Sequence, residues 1–198
     1  MNGAAHAFLT GHAAASAGKR TRSPVAFVLA SKEGCMKEIL CREATKEDLP
    51  HVLGLYAQPS LDDGVVLSLP EAVRIFERMA CYPDYKVYVA SCEDKIVGTF
   101  AFLIMDNLAH MGAPSAVIED VAVDPQWQAQ GVGKAMMQHA LKMAAEKGCY
   151  KVTLSSNLKR ERAHAFYESL GFERHGYSFR VDAQPGAGGY ALKRPAQP

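Results

Sequence analysis

The chain has 198 residues, 48% of them hydrophobic and 22% charged, enough for one well-buried core and short for two. Its 22 Lys and Arg against 21 Asp and Glu leave a net charge of +1, no basis for nucleic-acid or anionic-membrane binding. Five scattered cysteines without C-x-x-C or ligand spacing imply reduced thiols in a cytoplasmic protein with no metal site, and no apolar run reaches the ~20 residues of a membrane helix.

Residues 1–35 are rich in Ala, Gly and Ser, carry Lys19, Arg20 and Arg22, and hold no acid before Glu33. They predict a disordered N-terminal extension, with an organellar targeting segment or a start at Met36 as the alternatives. One domain is expected over residues 36–182, followed by a flexible Gly- and Pro-bearing tail over 183–198. Lys37–Arg42 reads as a first strand. Thr45 then offers a helix N-cap with Asp48 three positions on, and Ser68-Leu69-Pro70-Glu71 repeats the device before Val73, Ile75, Phe76 and Met79. Lys86–Ser91 and Ile96–Met105, joined by a short polar link, predict a hairpin. Ser115–Val123 is the next strand, followed by a helix from about Gly131 to Lys147 that Gly148 stops. Lys151–Ser155, a short helix over Arg160–Ser169 and a final strand or strand pair over Phe172–Val181 complete the order. It implies an α/β fold, a mixed central sheet with helices on both faces.

The chemistry concentrates where a strand ends at Pro125 and a Gly-bearing turn opens onto the helix at Gly131-Val132-Gly133-Lys134. A helix N-terminus exposes unpaired N–H groups and partial positive charge, and glycines there let a pyrophosphate approach closely. The alternative is a tight turn that needs glycine for backbone geometry alone. Neither G-x-G-x-x-G nor G-x-x-x-x-G-K-[ST] fits, which disfavours dinucleotides and nucleoside triphosphates.

Gln128-Ala129-Gln130-Gly131-Val132-Gly133 resembles the acetyl-CoA signature Q/R-x-x-G-x-G/A of the GNAT acetyltransferase family, lacking the arginine often found in this block and having Gln128 and Gln130 instead. Downstream, Asn157 and Ala163 through Phe172 resemble the family's second block, N…A…FYE-x-x-GF. The likeness spans about Ile39 to Val181 and implies the GNAT fold and acetyl-CoA as co-substrate. The backbone at Val121, Ala122 and Val123 would meet the pantetheine arm, and Gln128 and the amides of Gln130, Gly131, Val132, Gly133 and Lys134 the pyrophosphate. Asn157 would contact the arm, and Tyr167 would protonate the departing thiolate. From its helical spacing alone, Tyr167 reads equally as a core aromatic.

Acetylating an amine also requires a base, because an ammonium has no lone pair. Glu119 and Asp120 interrupt an apolar strand, and regular alternation puts Glu119 on the face of Val117, Val121 and Val123 with Asp120 opposite. Glu119 is thus the candidate base, or half of an ion pair. His110 reads as a pocket-lining or a solvated loop residue, while His139 reads as lying at a polar helix edge and His164 as facing away from its helix's apolar side. Lys159, Arg160 and Arg162 would meet the 3′-phosphate or form a solvated turn. The run around Thr153–Arg160 resembles aminoalkylphosphonate acetyltransferases, and Ile118–Val121 resembles amino-sugar-phosphate acetyltransferases. Both imply a small-molecule amine acceptor. Protein-lysine acetylation and a non-catalytic acetyl-CoA sensor remain alternatives, and a sheet-edge homodimer is compatible with the resemblance.

Overall fold

The computed structural model describes residues 25–30, 36–59, 61 and 64–179. Among them six strands form one sheet in chain order: β1 (Val25–Ala30), β2 (Met36–Glu43), β3 (Tyr85–Cys92), β4 (Lys95–Met105), β5 (Ser115–Val123) and β6 (Lys151–Leu154). Strands β1 to β5 are antiparallel, and β6 runs parallel to β5. Four helices are described, α1 (Leu49–Tyr56), α2 (Leu69–Met79), α3 (Val132–Glu146) and α4 (Glu161–Glu168).

Strand alternation sends Tyr88, Phe100, Phe102, Ala116 and Ile118 to one face, where α3 contributes Val132, Met136, Met137 and Ala140. Phe166 and Tyr167 of α4, and Leu170 just after it, pack onto the same cluster. On the opposite face Val87 and Val89 meet Val52 and Tyr56 of α1 and Phe76 and Met79 of α2. The expected mixed sheet with helices on both faces is therefore observed. The approach of α3 depends on Gly98, where a Cβ would lie 2.6 Å from the Met136 sulfur and 3.1 Å from Val132 Cγ1.

The first helix is anchored as its cap residues imply. Asp48 accepts from the Thr45 backbone N–H at 2.7 Å and pairs bidentately with Arg42 on β2 at 2.6 and 2.8 Å. The Arg42 hydrogen bond is the main cause holding the Asp48 carboxyl below its ordinary range, against a smaller opposing effect of burial. A short 3-10 turn, Lys46–Asp48, carries the chain from the cap into α1.

Three sequence expectations change. Val25–Ala30, assigned to a disordered extension, form an edge strand that pairs with β2 from Val25↔Cys41 to Ala30↔Met36. The apolar run VAFVLA has a ladder to join, which composition cannot reveal. The same strand corrects His139: Phe27 and Tyr88 ring it at 6.5 and 5.4 Å, and it is buried rather than at a polar edge. The strand expected over Phe172–Val181 is not formed within the described part, since 173–179 is irregular and Tyr177 and Phe179 are exposed. Residues 1–24, 31–35 and 180–198, including the expected C-terminal tail, lie outside the described residues.

Candidate acyl-transfer site

The site begins with an irregularity in β5. Glu119 pairs with Ala101, yet Ala122 pairs with Thr99, so Asp120 and Val121 together oppose Phe100. This is a β-bulge, and Asp120 takes the left-handed conformation with φ 53°. The bulge reverses the alternation. Ala116 and Ile118 face α3 before it, whereas Val121 and Val123 face α3 after it. Glu119 therefore shares the α1–α2 face with Val117 but not with Val121 and Val123, correcting the facing expected from a regular strand.

Beyond the bulge β5 loses its neighbour. Strand β6 pairs with β5 only from Ser115↔Lys151 to Ile118↔Leu154, and the two then part. Asp124 donates its N–H to the Val97 carbonyl on β4 at 2.9 Å, so alternation turns the polar groups of Val121 and Val123 toward the gap. The Val123 carbonyl already accepts from the side-chain amides of Gln58 and Gln128, each at 3.3 Å. Ala122 is a different case. It is buried, and its backbone pairs toward Thr99, away from the gap.

The gap leads to the start of α3. Asp124 accepts from the Gln126 N–H at 2.8 Å and holds a short 3-10 turn, Pro125–Trp127, after which Ala129 and Gly131 both have positive φ, 57° and 88°. Gly131 is the N-cap, in a conformation that glycine adopts without Cβ strain. No side chain caps the helix there, so the first-turn N–H groups of Val132, Gly133 and Lys134 point outward along its axis. Gly133 answers to a different neighbour than expected, since a Cβ there would sit 3.1 Å from Phe166 Cζ. Its missing side chain lets α4 lean across the start of α3. Val132 is buried beneath Gly98, and Lys134, Gln128 and the basic trio Lys159, Arg160 and Arg162 are exposed.

On the α4 side, Asn157 Oδ1 accepts from the Lys159 N–H at 2.9 Å, and its carbonyl meets Arg160 N and His164 Nε2 at 2.9 and 3.0 Å. His164 is half-buried and pins this loop to α4, rather than facing away from the packed side. Tyr167 packs against Phe166 and Phe172 at ring-centroid distances of 5.2 and 5.8 Å. Burial pushes its phenol above the ordinary range, with a smaller opposing pull from Arg160, which keeps it a protonated donor.

Glu119 remains open to solvent, yet its carboxyl is raised by partial desolvation first and by the Asp120 charge second. The exposure agrees with its placement where β5 has lost β6. Tyr85, which sequence reading did not single out, lies on the same face, with its phenol raised by burial and then by Asp120 and Glu119. His110 stacks on Tyr150 at 4.1 Å beside the first residues of β5 and β6. Four residues of strand, about 13 Å, separate that end from Glu119.

The family model described as "Acetyltransferase (GNAT) family" matches residues 60–172, more than half of the chain. A curated relative, glucosamine 6-phosphate N-acetyltransferase of Trypanosoma brucei brucei, is 37% identical over 97 residues, 49% of this chain and 64% of the relative. The ribosomal protein bS18-alanine N-acetyltransferase of Escherichia coli is 28% identical over 109 residues, 52% of this chain and 74% of that protein. The chain spans less than two thirds of the length of the first curated relatives it matches. Among solved structures, a putative acetyltransferase from Agrobacterium tumefaciens superposes with a TM-score of 0.67 at 34% identity, covering 72% of this chain and 98% of that one. No described helix is long and apolar enough to cross a membrane.

Proposed function

Because the chain belongs to the GNAT acetyltransferase family, we propose that it transfers the acetyl group of acetyl-CoA to the primary amine of a small molecule. The observation that carries this reading is the parting of β5 and β6 beside the uncapped start of α3. An extended amide-bearing arm can add to β5 as a strand does, using the backbone of Val121 and the N–H of Val123. A pyrophosphate at the end of that arm then meets the amides of Val132, Gly133 and Lys134, with Gln128, Gln130 and Gly131 shaping the turn. Asn157 borders the arm from the α4 side.

Glu119 and Tyr167 stand on opposite faces of the sheet, and the reading has both act through the gap between β5 and β6. Glu119 takes a proton from the acceptor ammonium, directly or through water. The freed nitrogen lone pair attacks the thioester carbon, a C–N bond forms, the C–S bond breaks, Tyr167 gives its proton to the departing thiolate, and the second nitrogen proton passes through solvent to restore the phenol. A phenol near pKa ~10 and a thiol near ~8.5 are close enough to share that proton. The raised carboxyl of Glu119 suits a base, and activity falls as pH drops through its pKa and it becomes protonated.

An amine panel followed by thiol release tests the reading. Acetyl-CoA and at least one small primary amine are expected to give turnover, and Glu119→Gln to lower kcat about 10²-fold near neutral pH. The deficit shrinks as pH approaches the amine's own pKa, where free amine is supplied by the solution. Cofactor binding without thiol release for any amine marks a sensor, while turnover confined to protein substrates marks a different acceptor class.

A further inference from the structure

The pairing register carries the acceptor face further than the base. Tyr85 on β3 pairs with Leu103 on β4, and Leu103 pairs with Val117 on β5, one row that crosses the sheet at right angles to the strands. Val87 and Val89 pack on the α1–α2 face, so Tyr85, two residues before Val87, shares that face. Leu103 does so as well, being out of phase with Phe102 and Ile104, which pack on the other side. Glu119 stands one step along β5 from Val117, on this same face and ahead of the bulge. Tyr85 and Glu119 thus bracket Leu103 and Val117, two half-buried apolar side chains. Two strand spacings across and a two-residue step along β5 set the walls about 12 Å apart, room for a small molecule lying diagonally on the sheet between them.

The phenol is held rather than loose. Tyr82 abuts the Tyr85 ring edge-on at 6.0 Å, and Tyr85 is half-buried. Its raised pKa, caused by burial and then by Asp120 and Glu119, agrees with a hydroxyl that stays protonated and looks toward those carboxylates. A protonated hydroxyl and a carboxylate facing across an apolar floor suit a polar head that both donates and accepts hydrogen bonds, with carbon beneath it.

Resting on the acetyl-transfer reading above, we propose that Tyr85 is an acceptor-binding residue, the wall diagonal to Glu119 that orients the incoming amine or a hydroxyl beside it. Tyr85 contributes to holding the acceptor and takes no part in bond making. Its loss therefore appears in the acceptor's KM and not in kcat. The apolar floor of Leu103 and Val117 favours acceptors whose nitrogen is borne on a neutral carbon skeleton. Anionic groups on such an acceptor are carried away from the two carboxylates.

The experiment uses the full chain, acetyl-CoA and the panel amine with the highest kcat/KM. Tyr85→Phe keeps the ring and the Tyr82 contact, and is expected to raise the amine KM about tenfold, the scale of one lost hydrogen bond in a binding site. Its kcat, acetyl-CoA KM and melting temperature are expected to stay within about twofold or a degree of wild type. Tyr85→Leu, which also removes the ring, is expected to raise the amine KM further. An unchanged amine KM in Tyr85→Phe overturns the proposal, as does a loss shared equally by acetyl-CoA KM and melting temperature. Either result, with Glu119→Gln still impaired, sinks this inference alone. Full activity in Glu119→Gln sinks the base assignment instead.

Discussion

Replacing Gly98 with alanine inserts a methyl group into the tightest crossing between α3 and the sheet. The new Cβ lies 2.6 Å from Met136 Sδ, 3.1 Å from Val132 Cγ1 and 3.3 Å from the Ala122 carbonyl oxygen. Met136 can swing, but Val132 is β-branched at the first position of α3 and the Ala122 oxygen belongs to a paired strand. Relief has to come from moving the start of α3. Overpacking of this kind costs about 2–3 kcal/mol, offset by roughly 0.4–1 kcal/mol from the stiffer unfolded chain. A net loss of about 1–2.5 kcal/mol lowers the melting temperature by roughly 3–8 °C for a chain of this size. Gly54 in α1 supplies the control, because a Cβ there meets nothing within 4 Å. Gly54→Ala is expected to gain about 0.5–1 kcal/mol from helix propensity and unfolded-state entropy. Thermal melts with and without acetyl-CoA check both points. Gly98→Ala should also lose part of its ligand-induced shift, since the same movement displaces the first-turn amides. A Gly98→Ala protein as stable as wild type, or a Gly54→Ala protein equally destabilised, refutes the packing argument.

Tyr167→Phe is expected to lower kcat by about 10²-fold while acetyl-CoA affinity holds, because the ring still packs on Phe166 and Phe172 and only the proton is lost. A change confined to the melting temperature would make Tyr167 a core residue. For Asp48→Asn, loss of the partly buried pair with Arg42 should cost about 1–3 kcal/mol at pH 7. The Asp48 carboxyl is held below its ordinary range, so its contribution is complete above about pH 4 and is lost as pH falls through the folded-state pKa. Urea denaturation from pH 7 down to 3 should show the gap between variant and wild type closing; a constant gap assigns the loss to something other than this charge.

Elements that announce themselves locally were legible. Thr45 with Asp48, Ser68 with Glu71, and the Gly131 and Gly148 ends of α3 carry their own capping chemistry, and the structure places helices close to where each implies. Strand β5 was read with its observed ends. What escaped depends on partners distant in sequence. Val25–Ala30 is a strand only because β2 offers it a ladder, and Phe27 of that strand joins Tyr88 in covering His139. The bulge at Asp120 has no glycine to mark it, so period-two reasoning ran straight through and misassigned the face of Val121 and Val123. Tyr85 had no motif around it. Its place diagonal to Glu119, in the row of Leu103 and Val117, follows from a register across three strands, which single-strand patterns do not contain.

The bulge gives β5 a sensitivity to length that its composition does not suggest. Up to Glu119 the even-numbered residues face α3, and one supernumerary residue hands that face to the odd-numbered residues that follow. Substitutions within Ser115–Val123 change one side chain at a time and leave that phase intact. Deleting a single residue at 120 or 121 would leave Ala122 and Val123 paired with Thr99 and Gly98 and so on their present faces, removing only the local bend, whereas a deletion elsewhere in the strand would turn over the residues on one side of it. Among natural variants of this strand, point changes should therefore be common, and a single-residue deletion should fall at 120 or 121, where both flanks keep their faces, rather than elsewhere in the strand.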